Sequence, residues 1–345
     1  MQRLTFSLAP LALAAFGLTP AATAADPGPI TAGVEIPLET KIYRNWKFRL
    51  PAEAWKNVGK AIEIPGEGKS RSYKAQLDGT QLMLDSDGDG ELDTKIEEEG
   101  GVVLLFDGES RSAIRVRSQP DWSYAPASVQ RGKIHGTKVS FIDQNNNGRF
   151  DDYGQDAMIV GAGRTASFLS KVIRVKDQLH TLTISADGSK VSCAPYEGGV
   201  GALDFKLLSK GKVLAAVVKS TDGQLSFDLS RAKGALQLPA GEYRIHSGLL
   251  SFGGNTVRVH SGRSQPIQIE ADGTKELRLG GPAKVEFAYK FDGSKYHFSP
   301  DHIWYYGRGG EEYSDWQPLG SSPKIAIVDR VKKEKVAEAV FPPNC

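Results

Sequence analysis

Two stretches of this chain follow one plan, an apolar strand that runs into a tight acidic loop. "KAQLDGTQLMLDSDGDGELD" (74–93) aligns with "GKIHGTKVSFIDQNNNGRFD" (132–151) at an offset of about 58 residues, with one extra strand residue in the second copy. Gly79-Thr80 matches Gly136-Thr137, Asp85 matches Asp143, Asp87 matches Asn145 and Asp89 matches Asn147. Gly90 matches Gly148, Leu92 matches Phe150 and Asp93 matches Asp151. Such a repeat marks a supersecondary unit used twice. Each copy must therefore form a strand that ends in a curled loop crowded with oxygen atoms. "DSDGDGELD" alone holds four aspartates and two glycines in nine positions. Carboxylates gathered that closely repel one another unless something positive sits among them.

The rest of the chain repeats the strand signal. "VIRV", "LHTLTIS", "ALDFKLL", "QLSFDL", "GEYRIHS", "NTVRVHS", "KELRLGG" and "AKVEFAY" are short and mostly alternating, with Gly, Asp-Gly or Pro between them. Asp187-Gly188, Asp222-Gly223, Asp272-Gly273 and Asp292-Gly293 are tight-turn signals. Only "PAEAWKNVGKAI" (51–62) reads as a helix, with Pro51 suited to its first turn. The expected fold is mainly β, built of antiparallel β-sandwich domains, the N-terminal one bearing two strand-flanked loops. The division expected is a leader over 1–24, a β domain over 25–175 with both acidic loops, a sandwich over 176–281, and a further β segment or small sandwich over 282–345.

Alternation explains what the loops can do. Hard cations such as Ca²⁺ take six to eight oxygens from a flexible chain. Side chains at loop positions 1, 3 and 5 converge, a glycine at position 6 permits the sharp turn, and the position 7 carbonyl turns inward. In the first loop these are Asp85, Asp87, Asp89, Gly90 and the carbonyl of Glu91, with Asp93 at position 9. In the second they are Asp143, Asn145, Asn147, Gly148 and the carbonyl of Arg149, with Asp151 at position 9. The pattern D-x-[DN]-x-[DN]-G-x-x-D resembles the calcium loops of the EF-hand superfamily, in the versions found in dockerins and thrombospondin type 3 repeats. Two departures stand out: the flanks read as strands, and position 12 is Ile96 or Gly154 where the family has a bidentate Glu. Asp152 and Asp156 are candidates for the missing ligand in the second loop, and Glu97 in the first. Magnesium, which prefers a rigid octahedron, fits less well. The expectation is that both loops bind Ca²⁺ and that the second has the more complete protein coordination.

A second resemblance rests on "LQLPAGEYRI" (236–245), where Leu236, Leu238, Tyr243 and Ile245 alternate around a Pro-Ala-Gly turn. It is similar to the strand–turn–strand of prealbumin-like sandwiches and implies a buried Tyr243.

Arg3, the apolar run Leu4–Leu18 and the small residues Ala22-Thr23-Ala24 have the layout of a secretory signal peptide cleaved after Ala24. Losing Arg3 takes the formal charge from +2 to +1. So balanced a chain gives no reason to expect nucleic acid as a partner. No later segment approaches membrane-spanning length. An exported chain, periplasmic or extracellular, permits a Cys193–Cys345 disulfide, which the spacing leaves open. His297 and His302 flank "FSPD" in no familiar ligand spacing, and His135, His180, His246 and His260 stand singly in strands. Trp304, Tyr305, Tyr306, Tyr313 and Trp316 could stack sugars, but read more simply as core or loop anchors. No G-x-S-x-G, H-E-x-x-H or P-loop motif is present. The reading is an exported, non-catalytic, calcium-stabilised structural, adhesion or binding protein of bacterial type; the sequence leaves its partner open, a polysaccharide and a cell-surface protein being the candidates. The alternative is a secreted hydrolase or carbohydrate-binding component with calcium as a structural ion.

Overall fold

The computed structural model describes residues 33–66, 70–108, 110–252, 255–315, 324–329 and 331–340; the leader, Trp316 and Cys345 lie outside them. Within these residues the protein is mainly β, with no helix and seven sheets. None of it is therefore a helix long and apolar enough to cross a membrane.

Alternation decides which strands form and which face they bury. In Arg71–Asp78, Tyr73 and Ala75 are buried while Ser72, Lys74 and Gln76 are exposed. That strand joins Ala61–Ile64, Gln81–Leu84 and Thr94–Ile96 in one sheet. A second sheet orders Lys56–Asn57, Ser123–Pro126, Ser110–Arg117 and Gly101–Asp107. The two enclose a core of Ile62, Leu82, Leu84, Leu105, Ile114 and Tyr124. Next come a five-stranded sheet, from Ser167–Phe168 through Ala157–Val160, Thr137–Ile142 and Ser128–Ile134 to Glu39–Ile42, and a four-stranded one. The latter holds Val172–Val175, Gln178–Ile184, Lys190–Pro195 and Val34–Pro37. Between them lie Phe141, Leu169, Ile173, Leu182 and Val191. Each such side chain, once buried, contributes roughly 1.5–3 kcal/mol.

A third core gathers Leu203, Leu238, Tyr243, Ile245 and Val259. Tyr243 is fully buried, and its hydroxyl donates to the Pro239 carbonyl at 2.9 Å, which ties the Pro-Ala-Gly turn to the strand that follows. One pairing here departs from the antiparallel expectation. Val200–Leu207 runs parallel to Thr274–Leu279, from Ala202↔Thr274 to Leu207↔Leu279. A parallel pair needs a long crossover, and the strands between 212 and 269 supply it.

The helix expected over 51–62 does not form. A helix would return each amide to a carbonyl four residues back. Instead Ala54 N donates to Gln144 O and Val58 N to Trp122 O, both at 2.8 Å. Lys56 pairs with Tyr124, and Ile62 with Tyr73. Trp55 is held by cations: Arg117 lies 4.2 Å and Arg115 5.1 Å from its ring centre, and Arg115 also covers Trp46 at 3.9 Å. Long-range partners outbid a weak local propensity.

Candidate metal centre

Each acidic loop joins two strands, the first between Gln81–Leu84 and Thr94–Ile96, the second between Thr137–Ile142 and Ala157–Val160. The loops share one internal geometry. Asp85 accepts the amides of Gly88 at 2.7 Å and Gly90 at 3.0 Å. Asp143 accepts those of Asn147 at 3.0 Å and Gly148 at 2.7 Å. At position 5, Asp89 accepts the Glu91 amide at 2.8 Å and Asn147 that of Arg149 at 2.9 Å. The position 6 glycines, Gly90 and Gly148, have φ of 95° and 83°, where a side chain is strained.

In the first loop Asp85, Asp87 and Asp89 bring one carboxylate oxygen each within 4.8 Å of one another, and this triad could hold a metal ion. Asp85 is buried at the strand end, while Asp87 and Asp89 face solvent. Asp93 is engaged elsewhere. It accepts the Ser86 amide at 3.3 Å, and that bond is the main reason its carboxyl sits below the usual range. Glu97 takes Gln81 at 2.8 Å and Lys95 at 3.0 Å, apart from the triad.

The second loop is enclosed. Asp143 is 6% exposed and Asp156 1%. Asp156 Oδ2 accepts the Asp152 amide at 3.1 Å. Its Oδ1 is buried without a donor among the described residues, and so is Asn145 Oδ1. Asp152 Oδ2 collects the side-chain amides of Asn145 at 2.9 Å and Asn147 at 2.5 Å. Burial pushes the Asp143 carboxyl up, against the pull of the Gly148 amide. Burial, and then the Asp143 charge, push Asp156 up to about 8. Asp151 is bound instead to Arg149, through Nε at 3.0 Å and Nη2 at 2.8 Å. Hydrogen bonds thus link Asn145, Asn147, Asp152 and Asp156, with the Asp143 charge felt at Asp156; among the described residues, though, only the first loop's triad brings three acidic ligand atoms within 4.8 Å of one another. Glu91 and Arg149 join their loops through their amides.

Gln144 and Asn146 of the second loop were not singled out by sequence, yet they fasten it, together with Phe150 and Gly154. Gln144 is buried; its carbonyl accepts Ala54 N at 2.8 Å, and its side chain contacts Ala52 N and Gln155 O. Asn146 donates to Tyr124 O at 3.4 Å. Phe150 N donates to Ala186 O at 2.9 Å, and Lys219 Nζ to Gly154 O at 2.6 Å. The signal was the alternation itself, since residues between converging ligands must point outward.

Other candidates are spoken for. His135 and His180 lie with ring centres 4.8 Å apart, and burial holds His180 below its ordinary value, with His135 adding to the effect. His297 pairs with Asp292 at 2.8 Å. Tyr306 and Tyr313 are buried, and Trp304 and Tyr305 half-buried, as core or loop anchors would be. Cys193 is buried in the second core. No protein-family model matches the chain, no curated protein matches it, and no solved structure matches it.

Proposed function

We propose that this is an exported, non-catalytic structural or binding protein whose sandwiches are held in register by calcium, chiefly at the second loop. The observation that carries the reading is the buried pair Asp143 and Asp156, with Asp156 Oδ1 and Asn145 Oδ1 lacking donors among the described residues. A buried carboxylate oxygen without a donor is costly, and a cation would remove that cost. All candidate ligands are oxygens, which suits Ca²⁺ and excludes soft-metal chemistry. When bound, the ion would be held by Asp143, Asn145, Asn147, Asp152 and Asp156. It would neutralise charge at the point where the loop meets Ala54, Tyr124, Ala186 and Lys219. The exposed triad Asp85, Asp87 and Asp89 would take a second ion with more water in its shell.

Extracellular calcium modules bind at about 10⁻⁴–10⁻³ M. At about 1 mM calcium and a Kd near 0.1 mM, each site stabilises the fold by roughly 1.4 kcal/mol. That is a staple. Strand-flanked loops have no helix pair to open, so a signalling response is not expected. The test is calorimetric titration with Ca²⁺ and Mg²⁺, together with melting in calcium and in chelator. Saturable calcium binding and a higher melting temperature in calcium are expected. Identical melts and no binding heat at millimolar calcium would reduce both loops to turns.

A further inference from the structure

A cleft of about 270 Å³ opens between the second core's sheets and the third's. One wall comes from Ala157–Val160, Ser167–Phe168 and Val172–Val175, the other from Ser226–Asp228 and the strand that begins near Leu236. Two guanidinium groups line it. Arg231 is exposed, and none of the described residues forms a hydrogen bond or ion pair with its guanidinium. Its Nη1 lies against Gly161 and Gly163; a Cβ at Gly163 would sit 3.2 Å from it, so glycine keeps that space open. Arg174 reaches the cleft from the opposite wall. One Nη pairs with Asp177, while its Nε is buried and donates to nothing among the described residues.

The one carboxyl in the lining is Asp228. It accepts Ser230 N at 3.0 Å, Ser230 Oγ at 2.7 Å and Ala216 N at 3.3 Å, so both oxygens are engaged. Burial pushes its carboxyl up, against the pull of the Ser230 hydrogen bonds and of the Arg231 charge. The hydroxyls are committed too: Thr165 donates to Leu214 O at 2.7 Å, Ser226 to Val218 O at 3.0 Å and Ser167 to Phe168 O at 3.1 Å. Among the described side chains that line the cleft, the donors without a hydrogen bond are therefore the Arg231 guanidinium and Arg174 Nε. Met158, Val160, Phe227 and Leu236 supply an apolar floor. Arginine's planar fork suits a carboxylate, and clefts between sandwiches are where ligand sites tend to form.

We propose that this cleft binds a small organic carboxylate, its acid group between Arg231 and Arg174 and its body against Met158, Val160, Phe227 and Leu236. The body could be a sugar ring or a short alkyl chain. Glucuronate and hexanoate are therefore the probes, with glucose and hexanol as their neutral counterparts. Amide chemical shifts of the isotopically labelled chain are followed during titration, in calcium and again in chelator, because one wall of the cleft, Ala157–Val160, is also the strand that leaves the second acidic loop. A ligand of this size is expected to bind at about 1 mM. The neutral counterparts should leave the cleft's resonances unmoved. Arg231→Gln and Arg174→Gln should each weaken the acid by about tenfold, and Lys233→Gln, an exposed neighbour, should leave it unchanged. Binding by one acid alone supports the proposal and identifies the body. The proposal is overturned if neither acid shifts the cleft's resonances up to about 20 mM. It is also overturned if the neutral counterparts bind as well, or if both arginine variants retain full affinity. Arg231 is exposed, so its variant is expected to fold and keeps the test decisive.

Discussion

The two acidic loops have nearly the same hydrogen-bond skeleton and very different surroundings. In the first, the Asp85, Asp87 and Asp89 triad stands at a hairpin end with Asp87 and Asp89 in water. In the second, Asp143 and Asp156 are buried and neighbouring segments close over the loop. Skeleton and surroundings answer to different causes. Spacing of Asp, Asn and Gly sets the curl. What packs against the curl decides whether its oxygens are merely solvated or are left wanting a cation.

The sharpest way to break this contrast is through the position 6 glycines. Both have positive φ, so alanine at either should cost about 1–2 kcal/mol from backbone strain. At Gly90 a Cβ meets nothing within 4 Å, and the strain is the whole effect. At Gly148 it would lie 2.5 Å from Pro65 Cβ and 2.9 Å from Pro65 O. Gly148→Ala should therefore destabilise by about 3 kcal/mol or more in urea unfolding. Equal losses for the two variants would mean the second loop is no more enclosed than the first.

The next effect is a pH dependence of the calcium-free chain. Burial, and then the Asp143 charge, raise Asp156 from the ordinary carboxylate value of 3.8 to about 8 in the folded protein. Between those values the unfolded chain has released this proton and the folded chain still holds it. Stability must then fall as pH rises. In chelator, the protein should melt lower at pH 7.5 than at pH 5.5, and Asp156→Asn should flatten that slope. The first loop has the opposite sign. Asp93 is held low by the Ser86 amide, so its contribution is present above the ordinary carboxylate range and lost as pH falls through the lowered value. It is exposed, and Asp93→Asn should leave the slope between these two pH values unaltered.

Much of this was legible beforehand, for identifiable reasons. The strands, the repeat and the loops that join strands follow from local alternation and turn chemistry, which a short window contains. Tyr243 was legible because its alternation with Ile245 continues through a turn. The segment 51–62 was misread because its amides are claimed by Gln144 and Trp122, far away in sequence. The engagement of Asp93 and Asp151 by Ser86 and Arg149 depends on side-chain direction, which spacing leaves unspecified. Phe287, Tyr289 and Phe291 alternate plainly in "VEFAYKF", but only the pairing of Tyr289 with Phe298 and Phe291 with Tyr296 sets the aromatics of the next strand beside them on one exposed sheet face. The cleft was illegible because Arg174 and Arg231 come to line one space only through the packing of separate sheets.

Calcium itself should separate the loops by a smaller margin. Asp156→Asn removes a buried ligand and a buried like charge at once. It should abolish roughly 1.4 kcal/mol of calcium-dependent stability while leaving the chelated chain equal to or more stable than its parent. Asp87→Asn keeps an oxygen in an exposed site and should lose less than half as much. Differential melting in calcium and chelator reads both. If Asp87→Asn proves the more damaging, the exposed triad is the principal site and the ordering of the loops is reversed.

The smallest effect concerns Arg149 and Asp151. Their ion pair is exposed, with 56% of the Arg149 side chain in solvent, and such pairs contribute about 0–1 kcal/mol. Yet it sits where position 9 of a calcium loop would offer its carboxylate. Arg149→Ala removes a positive charge beside the site and releases Asp151 from both guanidinium bonds. In chelator the melting temperature should barely move. In calcium, affinity at the second loop should rise by about two- to fivefold, since one exposed unit charge at this range is worth about 0.5–1 kcal/mol in water. The gain should shrink at high ionic strength, because a solvent-exposed charge is screened over about 8 Å at physiological salt. Asp151→Asn in the same background should cancel it. If Arg149→Ala leaves calcium affinity unchanged at low salt, Asp151 takes no part in the site, and the coordination is confined to the residues that the enclosed loop already gathers.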